Sequence, residues 1–255
     1  MHLSSRKQRI LDILKKEKYV KVHSLIDAFD VAPATIRRDI ASLVESGLIS
    51  HTHGEVHILN TTNTIPSIIA RSSMFVDEKN AIGAFAKSFI APNDLVVLDS
   101  GTTTLAFAHQ LVHGSYTVIT NSLDICKILS ESNGTTICSG GILDSSHMCF
   151  LGPDAENFFA RHEVDVLFLG ATGISKLAGF TTSSPLQFNL KQVMLQHAKK
   201  KYVLCDLSKF HSANLYVFAK FTDVDGIITT RPAQNSYEQD FLSHLEETGV
   251  PVFYT

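Results

Sequence analysis

Beyond residue 94 the chain is a succession of short apolar runs, and most of them stop at a cluster of small polar residues. LVVL at 95–98 runs into DSGTTT, and YTVIT at 116–120 into NS. TTIC at 135–138 runs into SGG, VLFL at 166–169 into GATGI, and YVLC at 202–205 into DLSKF, with a sixth run, GIIT, at 226–229. Runs of this length bounded by turn formers are strand signals. The intervals carry helical patterns over 77–90, 102–112, 122–131, 153–161, 184–199 and 235–247. Strands alternating with helices predict an α/β domain built on a mostly parallel sheet.

The first 58 residues carry a different pattern. Ile10, Ile13 and Leu14 fall on one face of a first helix, and Val22, Leu25, Ile26 and Phe29 repeat at i, i+3, i+4, i+7 for a second. Ile36, Ile40, Leu43 and Val44 make the core face of a third, with Pro33 suited to its first turn and Gly47 to its C-terminal cap. LISHTHGEVHIL at 48–59 alternates around Gly54 and reads as a hairpin. Three helices and a hairpin in so short a span predict a winged helix-turn-helix. LNTTNTIPSIIARSS, residues 59–73, holds neither period and contains Pro66, so it reads as a linker. The expected organisation is a winged helix-turn-helix over 1–58, a linker over 59–76 and an α/β domain over 77–255.

Charge divides the chain in the same place. Residues 1–58 carry nine Lys and Arg against seven Asp and Glu, whereas the remainder is net negative, which takes the whole to −3. A basic small part on an acidic larger one points to a polyanionic partner for the first. No run approaches the ~20 apolar residues of a membrane span, and MHLSSRKQRILDILKKEK is charged throughout, unlike a signal peptide. The expected location is the cytoplasm, with no membrane partner. Cys126, Cys138, Cys149 and Cys205 stand in no CxxC spacing and are read as buried reduced thiols, not as metal ligands or disulfide partners.

With Ile36, Ile40, Leu43 and Val44 facing inward, the third helix turns Pro33, Ala34, Thr35, Arg37, Arg38 and Ser42 outward. Such a face suits a major groove, where arginine bridges guanine or grips phosphate while Thr and Ala meet phosphates and thymine methyls. His51 and His53, with His57, share one side of the hairpin. No Cys or carboxylate completes a metal site beside them, so they are read as wing side chains near DNA.

These residues resemble the DeoR family of bacterial transcription regulators. The family pattern falls on Arg6, Ile10 and Leu14, then on Thr35, Ile36, Arg37, Arg38 and Asp39, and the run SGLISHTHGEV is similar to its wing. Two positions depart from it. Ala32 stands where the family offers a capping Ser, and Gly54 is followed by Glu55 where a second glycine is usual.

In the larger part, LDSGTTT places Asp99 and Gly101 in a turn after a strand and starts a helix at Thr102. Open α/β sheets bind ligands at the carboxyl ends of their strands, and helix N-terminal N–H groups favour an anion. Thr120, Asn121 and Ser122, then Gly140 and Gly141, then Gly170, Thr172 and Gly173, then Asp206, Ser208 and Lys209 repeat the chemistry. Small donors with one lysine suit a phosphate carrying sugar hydroxyls. Actin-like ATPases also carry DxGT loops, but no Walker-type GxxxxGK[ST] occurs.

This order of motifs also resembles the DeoR-family sensor domain, similar in fold to ribose-5-phosphate isomerase. The resemblance implies an effector pocket lined by Asp99, Gly101, Thr102, Thr103, Asn121, Ser122, Gly141, Gly173 and Lys209. It implies a regulator, most simply a repressor of a carbohydrate-metabolism operon, that binds a double-stranded DNA operator as a homo-oligomer (dimer or tetramer) and answers to a phosphorylated sugar. GFTTSSPLQFNLK departs from the family's GLTT…EE…VK: Leu186 and Gln187 stand where carboxylates fall, while Lys191 is kept. Losing the carboxylate removes a possible general base. That loss sets a regulator without cofactor, metal or catalytic residue above the alternative, an isomerase-like enzyme with a DNA-binding appendage.

Overall fold

A computed structural model describes residues 5–17, 19–45, 49–52, 55–58, 68–247 and 249–255. Two compact units divide between Val76 and Asp77.

The first unit opens with α1 (Ser5–Glu17), β1 (Tyr19–Lys21), α2 (Val22–Asp27) and α3 (Pro33–Glu45). β2 (Ile49–Thr52) and β3 (Glu55–Ile58) form the expected antiparallel hairpin, and a short helix, α4 (Ile68–Ser72), follows later. β1 pairs with β3, Val20 opposite Val56, so the wing is a three-stranded sheet in the order β1-β3-β2. The core comprises Ile10, Leu14, Leu25, Phe29, Ile36, Ile40 and Leu43 with Ile49 and Val56 of the wing. One expectation fails on α3. Val44 is 39% exposed, and Asp39 is buried instead. The inward stripe is Ile36, Asp39, Ile40 and Leu43, the i, i+3, i+4, i+7 set, and Val44 lies a step past its edge. Gly47, His53, Gly54 and the stretch 59–67 lie outside the described residues.

The second unit starts with α5 (Val76–Ala86), then β4 (Leu95–Leu98), α6 (Thr102–Leu111), β5 (Thr117–Thr120), α7 (Leu123–Leu129) and β6 (Thr135–Cys138). A small hairpin, β7 (Ile142–Asp144) and β8 (Cys149–Leu151), precedes α8 (Pro153–Phe159) and β9 (Val164–Gly170). Next come β10 (Gly173–Ser175), β11 (Gly179–Thr182), α9 (Pro185–Gln196), β12 (Ala198–Leu204), β13 (Tyr216–Ala219), β14 (Gly226–Thr229), α10 (Tyr237–Glu247) and β15 (Val252–Tyr254). Seven strands form one sheet in the order β15-β14-β12-β9-β4-β5-β6, and all six pairings are parallel. β10, β11 and β13 make a separate antiparallel sheet.

Alternation along the strands explains the layers. Val97, Ile119, Leu167, Leu169, Val203 and Ile227 pack into one core with α8, α9 and α10. Val96, Leu98, Val118, Val166, Phe168, Leu204 and Ile228 pack into another with α5, α6 and α7. Successive side chains on a strand point to opposite faces, so a sheet covered on both faces needs apolar residues at nearly every position. The α/β fold expected from the sequence is the one observed. Two details differ: Cys138 is exposed and Cys126 half-buried, so only Cys149 and Cys205 are the buried thiols expected of all four.

Candidate functional site

On the first unit, α3 presents Pro33, Ala34, Arg37 and Arg38 as exposed side chains, with Thr35 and Ser42 half-buried. Pro33 opens the helix, and Thr35 N–H bonds the Ala32 carbonyl at 2.8 Å, so the first turn forms without a capping serine. The helix is held from behind: Arg6 Nε on α1 lies 2.5 Å from Asp39 Oδ2. Arg6 therefore spends its charge inside the unit, leaving Arg37 and Arg38 as the outward pair. Ser42 is not free for DNA in this state, because its hydroxyl accepts from Lys7 Nζ at 2.7 Å. His51 sits on β2 opposite Val56.

In the second unit a parallel sheet puts every strand's carboxyl end on one edge. The segments that follow β4, β5, β6, β9 and β12, loops and the first turn of α6, therefore converge there, and they carry all but one of the predicted effector residues. Gly173 sits slightly further on, in β10. A Cβ added there would lie 2.2 Å from the Ser212 carbonyl oxygen, so this glycine lets two backbones meet. Gly141 has φ +116° and would place a Cβ 2.8 Å from the Leu151 carbonyl oxygen, so only glycine fits that turn.

The centre of the edge is a buried ion pair. Lys191 Nζ, from α9, donates to Asp99 Oδ2 and to the Gly170 carbonyl at 2.9 Å, and the same carboxylate oxygen accepts from Gly170 N–H at 3.0 Å. Both side chains are almost fully buried, and the ammonium also lies 4.9 Å from the Phe218 ring centre. The next strand is tied in by Asn121. Its Oδ1 accepts from Ser100 N–H at 3.1 Å, and its Nδ2 donates to the Phe150 carbonyl at 3.1 Å. Cys149 is buried beside this cluster, and burial, reinforced by the Asp99 and Asp144 carboxylates, pushes its thiol up to about 11.

Gly101 is the N-cap of α6 and supplies no capping side chain. The first N–H groups of a helix have no acceptor within it, so Thr102 and Thr103 stand at the positive pole of α6. Thr104 turns its hydroxyl back to the Asp99 and Gly101 carbonyls, at 2.6 and 2.9 Å, which fixes the turn. Ser122 has a structural task, capping α7 through Ile125 N–H at 3.3 Å. Lys209 lies further along the edge, 3.8 Å from Asp206 Oδ2. Gln187, where a family carboxylate falls, is buried in the first turn of α9 and accepts from Thr182 Oγ1 at 2.7 Å, while Leu186 is exposed.

The sequence reading missed Lys191 as a member of the cluster. A signal was present: Gln187, Leu190, Lys191 and Met194 recur at i, i+3, i+4, i+7 and are all buried. A lysine on a buried helical stripe needs a counter-charge. Among the described residues no group of three or more His, Cys, Asp and Glu is arranged to hold a metal ion, and no helix is long and apolar enough to cross a membrane.

Comparison with known proteins agrees with both units. The DeoR-like helix-turn-helix domain matches residues 6–62, and the DeoR C terminal sensor domain matches residues 74–231. Transcriptional repressor AccR of Agrobacterium fabrum is 35% identical over 88% of this chain and 88% of its own length. HTH-type transcriptional repressor GlcR of Bacillus subtilis is 32% identical over 100% of this chain and 97% of its own. Among solved structures, ribose 5-phosphate isomerase A of Methanocaldococcus jannaschii is similar at TM-score 0.39 and 15% identity, covering 53% of this chain and 54% of that one. With both of its units matched, the chain belongs to the DeoR family of transcription regulators.

Proposed function

We propose that the chain is a cytoplasmic repressor of a carbohydrate-metabolism operon, and that a phosphorylated sugar bound in the second unit sets its affinity for DNA. In this reading residues 1–58 bind the operator, 59–76 link, and 77–255 sense, with the chain acting as a dimer or tetramer. The operator is contacted by Pro33, Ala34, Thr35, Arg37, Arg38, Ser42, His51 and His53. Ser42 exchanges its Lys7 partner for phosphate on binding. The phosphate of the effector sits over the N-terminus of α6, between Gly101, Thr102, Thr103 and the Asn121–Ser122 loop, and its sugar extends past Asp99 toward Lys209, with Gly141 and Gly173 shaping the walls.

One observation carries this reading. The uncapped start of α6 lies directly after Asp99, whose carboxylate is already neutralised by Lys191, so an incoming anion meets helix dipole without meeting a free negative charge. The relatives named repressors support the DNA half. Gln187 supports sensing over turnover. Its side chain is an amide engaged by Thr182, and an amide cannot act as the base that sugar isomerisation requires.

The test is thermal unfolding of the full chain against phosphorylated sugars, their unphosphorylated parents, and ATP with magnesium. A ligand at 100 times its dissociation constant adds about 2.7 kcal/mol. The expected result is stabilisation by one sugar phosphate and not by its parent sugar, reduced in Thr102→Ala and Lys209→Ala. Stabilisation by ATP with magnesium alone contradicts the reading.

A further inference from the structure

Three cations stand in the first turns of α1, and each is held by a different kind of partner. Arg6 reaches the buried Asp39 carboxylate, which neutralises it inside the unit. The Arg9 guanidinium lies 5.0 Å from the centre of the Phe29 ring. Lys7 Nζ donates to the Ser42 hydroxyl at 2.7 Å, a bond between α1 and α3 across 35 residues of chain. A hydroxyl is neutral, so this bond orients the ammonium without cancelling its charge. An ammonium has three donors, and the bond uses one of them.

The place of Ser42 on α3 decides what that ammonium can reach. Thr35, Arg38 and Ser42 recur at i, i+3, i+7 and form one stripe beside the exposed Ala34, Arg37 and Ala41. At a rise of about 1.5 Å per residue, Ser42 lies about 6 Å beyond Arg38 along the helix axis. Lys7 therefore brings a cation from a second helix to the same stripe, one turn past Arg38. Asp39, between Arg38 and Ser42 in the helix, points into the core and is engaged by Arg6, so it does not offset that cation. A lysine ammonium is a compact point charge on a flexible stem. It suits a phosphate oxygen, whereas the planar fork of arginine suits two-point contacts.

We propose that Lys7 is a DNA-phosphate contact made from outside α3, and that Ser42 positions it. Before binding, the Ser42 hydroxyl holds the ammonium over the end of the stripe. On binding, a backbone phosphate enters between the two, the ammonium turns to a phosphate oxygen, and the hydroxyl donates to the same group. The contact takes any phosphodiester at that register, so it adds affinity without reading sequence. The proposal rests on α3 lying in the groove, as proposed above.

Fluorescence anisotropy of the full chain tests it on two duplexes, each across a salt series. One is an operator recovered by selection from random DNA, and the other is an unselected duplex of scrambled sequence. Lys7→Gln is expected to bind both about tenfold more weakly, the weight of one hydrogen bond to a charged group. It is also expected to flatten the salt slope by about 0.9 on each, the counterion release of one phosphate. Lys7→Arg is expected to keep the parent slope. Ser42→Ala keeps the charge of Lys7 and is expected to leave the slope in place while weakening binding. In a Lys7→Gln background Ser42→Ala is expected to cost less than it does alone.

An unchanged salt slope in Lys7→Gln overturns the proposal, as does a loss confined to the operator, which marks a base contact. Equal cost of Ser42→Ala in the parent and Lys7→Gln backgrounds removes the positioning role. Should Lys7→Gln fail to fold, Lys7→Met makes the same comparison with an apolar side chain. Arg37→Ala and Arg38→Ala on the same duplexes separate this proposal from the reading it rests on. Weakened operator binding in those variants, beside parent-like binding in Lys7→Gln, overturns the Lys7 contact alone. Parent-like binding in both takes α3 out of the groove, and a slope still flattened by Lys7→Gln then supports a phosphate contact made without it.

Discussion

The two units keep their working charges in opposite places. On α3, Arg37 and Arg38 are exposed, and their support comes from a pair behind them, Arg6 with Asp39. At the carboxyl edge of the sheet, Asp99 and Lys191 are buried and hold each other and the backbone, and the buried Asp206 holds the Ser208 N–H. The difference follows from the partners proposed for each. DNA is a long polyanion, so charge on an open, rigid face releases counterions wherever it lands. A small ligand makes few contacts, so its groups must be fixed beforehand in a concave site. The exposed charge of α3 is therefore expected to govern binding and hardly touch stability, whereas the buried charge of the second unit is inseparable from the fold.

Removing one member of the buried pair breaks that contrast most sharply. Lys191→Met leaves Asp99 buried without its cation and is expected to destabilise the second unit by about 3–5 kcal/mol, measured by urea denaturation. Pairing it with Asp99→Asn recovers most of the loss, and a double variant as unstable as the single shows that the two charges do not compensate each other.

On the exposed side, Arg37→Ala and Arg38→Ala are each expected to weaken operator binding by about 1–3 kcal/mol while shifting stability by less than ~0.5 kcal/mol. Fluorescence anisotropy across a salt series sharpens the assignment. Loss of a phosphate contact lowers the salt slope, whereas loss of a base contact relaxes specificity at one position. Operator affinity unchanged in both variants takes α3 out of the groove.

Ser122 sits between these extremes, because it belongs to the proposed pocket and also caps α7. Ser122→Ala is expected to cost about 1 kcal/mol through the lost cap, and Ser122→Asp, which keeps a capping oxygen, is expected to restore stability while repelling a phosphorylated ligand. Melting curves with and without the sugar phosphate distinguish the two roles.

The smallest effect concerns Asp165, a partly exposed carboxylate at the start of β9, away from the carboxyl edge of the sheet. The Leu95 N–H, at 2.9 Å, and then the Lys199 ammonium hold it below the ordinary carboxylate value of 3.8. A depressed folded pKa contributes stability above 3.8 that is lost as pH falls through the folded value. Asp165→Asn is therefore expected to be slightly less stable than the parent at neutral pH, with the gap closing in strong acid. A gap that widens in acid contradicts the assignment.

Much of this arrangement was legible in the residues. β4 and β14 begin and end where their apolar runs do, since branched residues between turn formers leave little choice. The strands that escaped notice, β1, β7, β8, β10, β11, β13 and β15, are three or four residues long. A period of two cannot declare itself over so few positions, and these strands owe their pairing to distant neighbours. Val44 was misplaced because apolar character was preferred to spacing, when Asp39 completes the buried stripe with a partner 33 residues away. Lys191 bonds Asp99 across 92 residues of chain, and no local window contains both. The loops that converge on one edge could be read because parallel topology alone brings them together, whereas the closures between them depend on three-dimensional packing.

The central claim is that one ligand in the second unit changes what the first unit does. It is tested most directly by titrating the full chain onto an operator recovered by selection from random DNA, with and without the sugar phosphate that stabilises it. The account predicts a 5- to 150-fold change in DNA affinity, corresponding to about 1–3 kcal/mol of coupling. It also predicts that this change disappears in Lys209→Ala, whose affinity without ligand stays that of the parent. Identical operator affinity in the presence and absence of a bound sugar phosphate would contradict it.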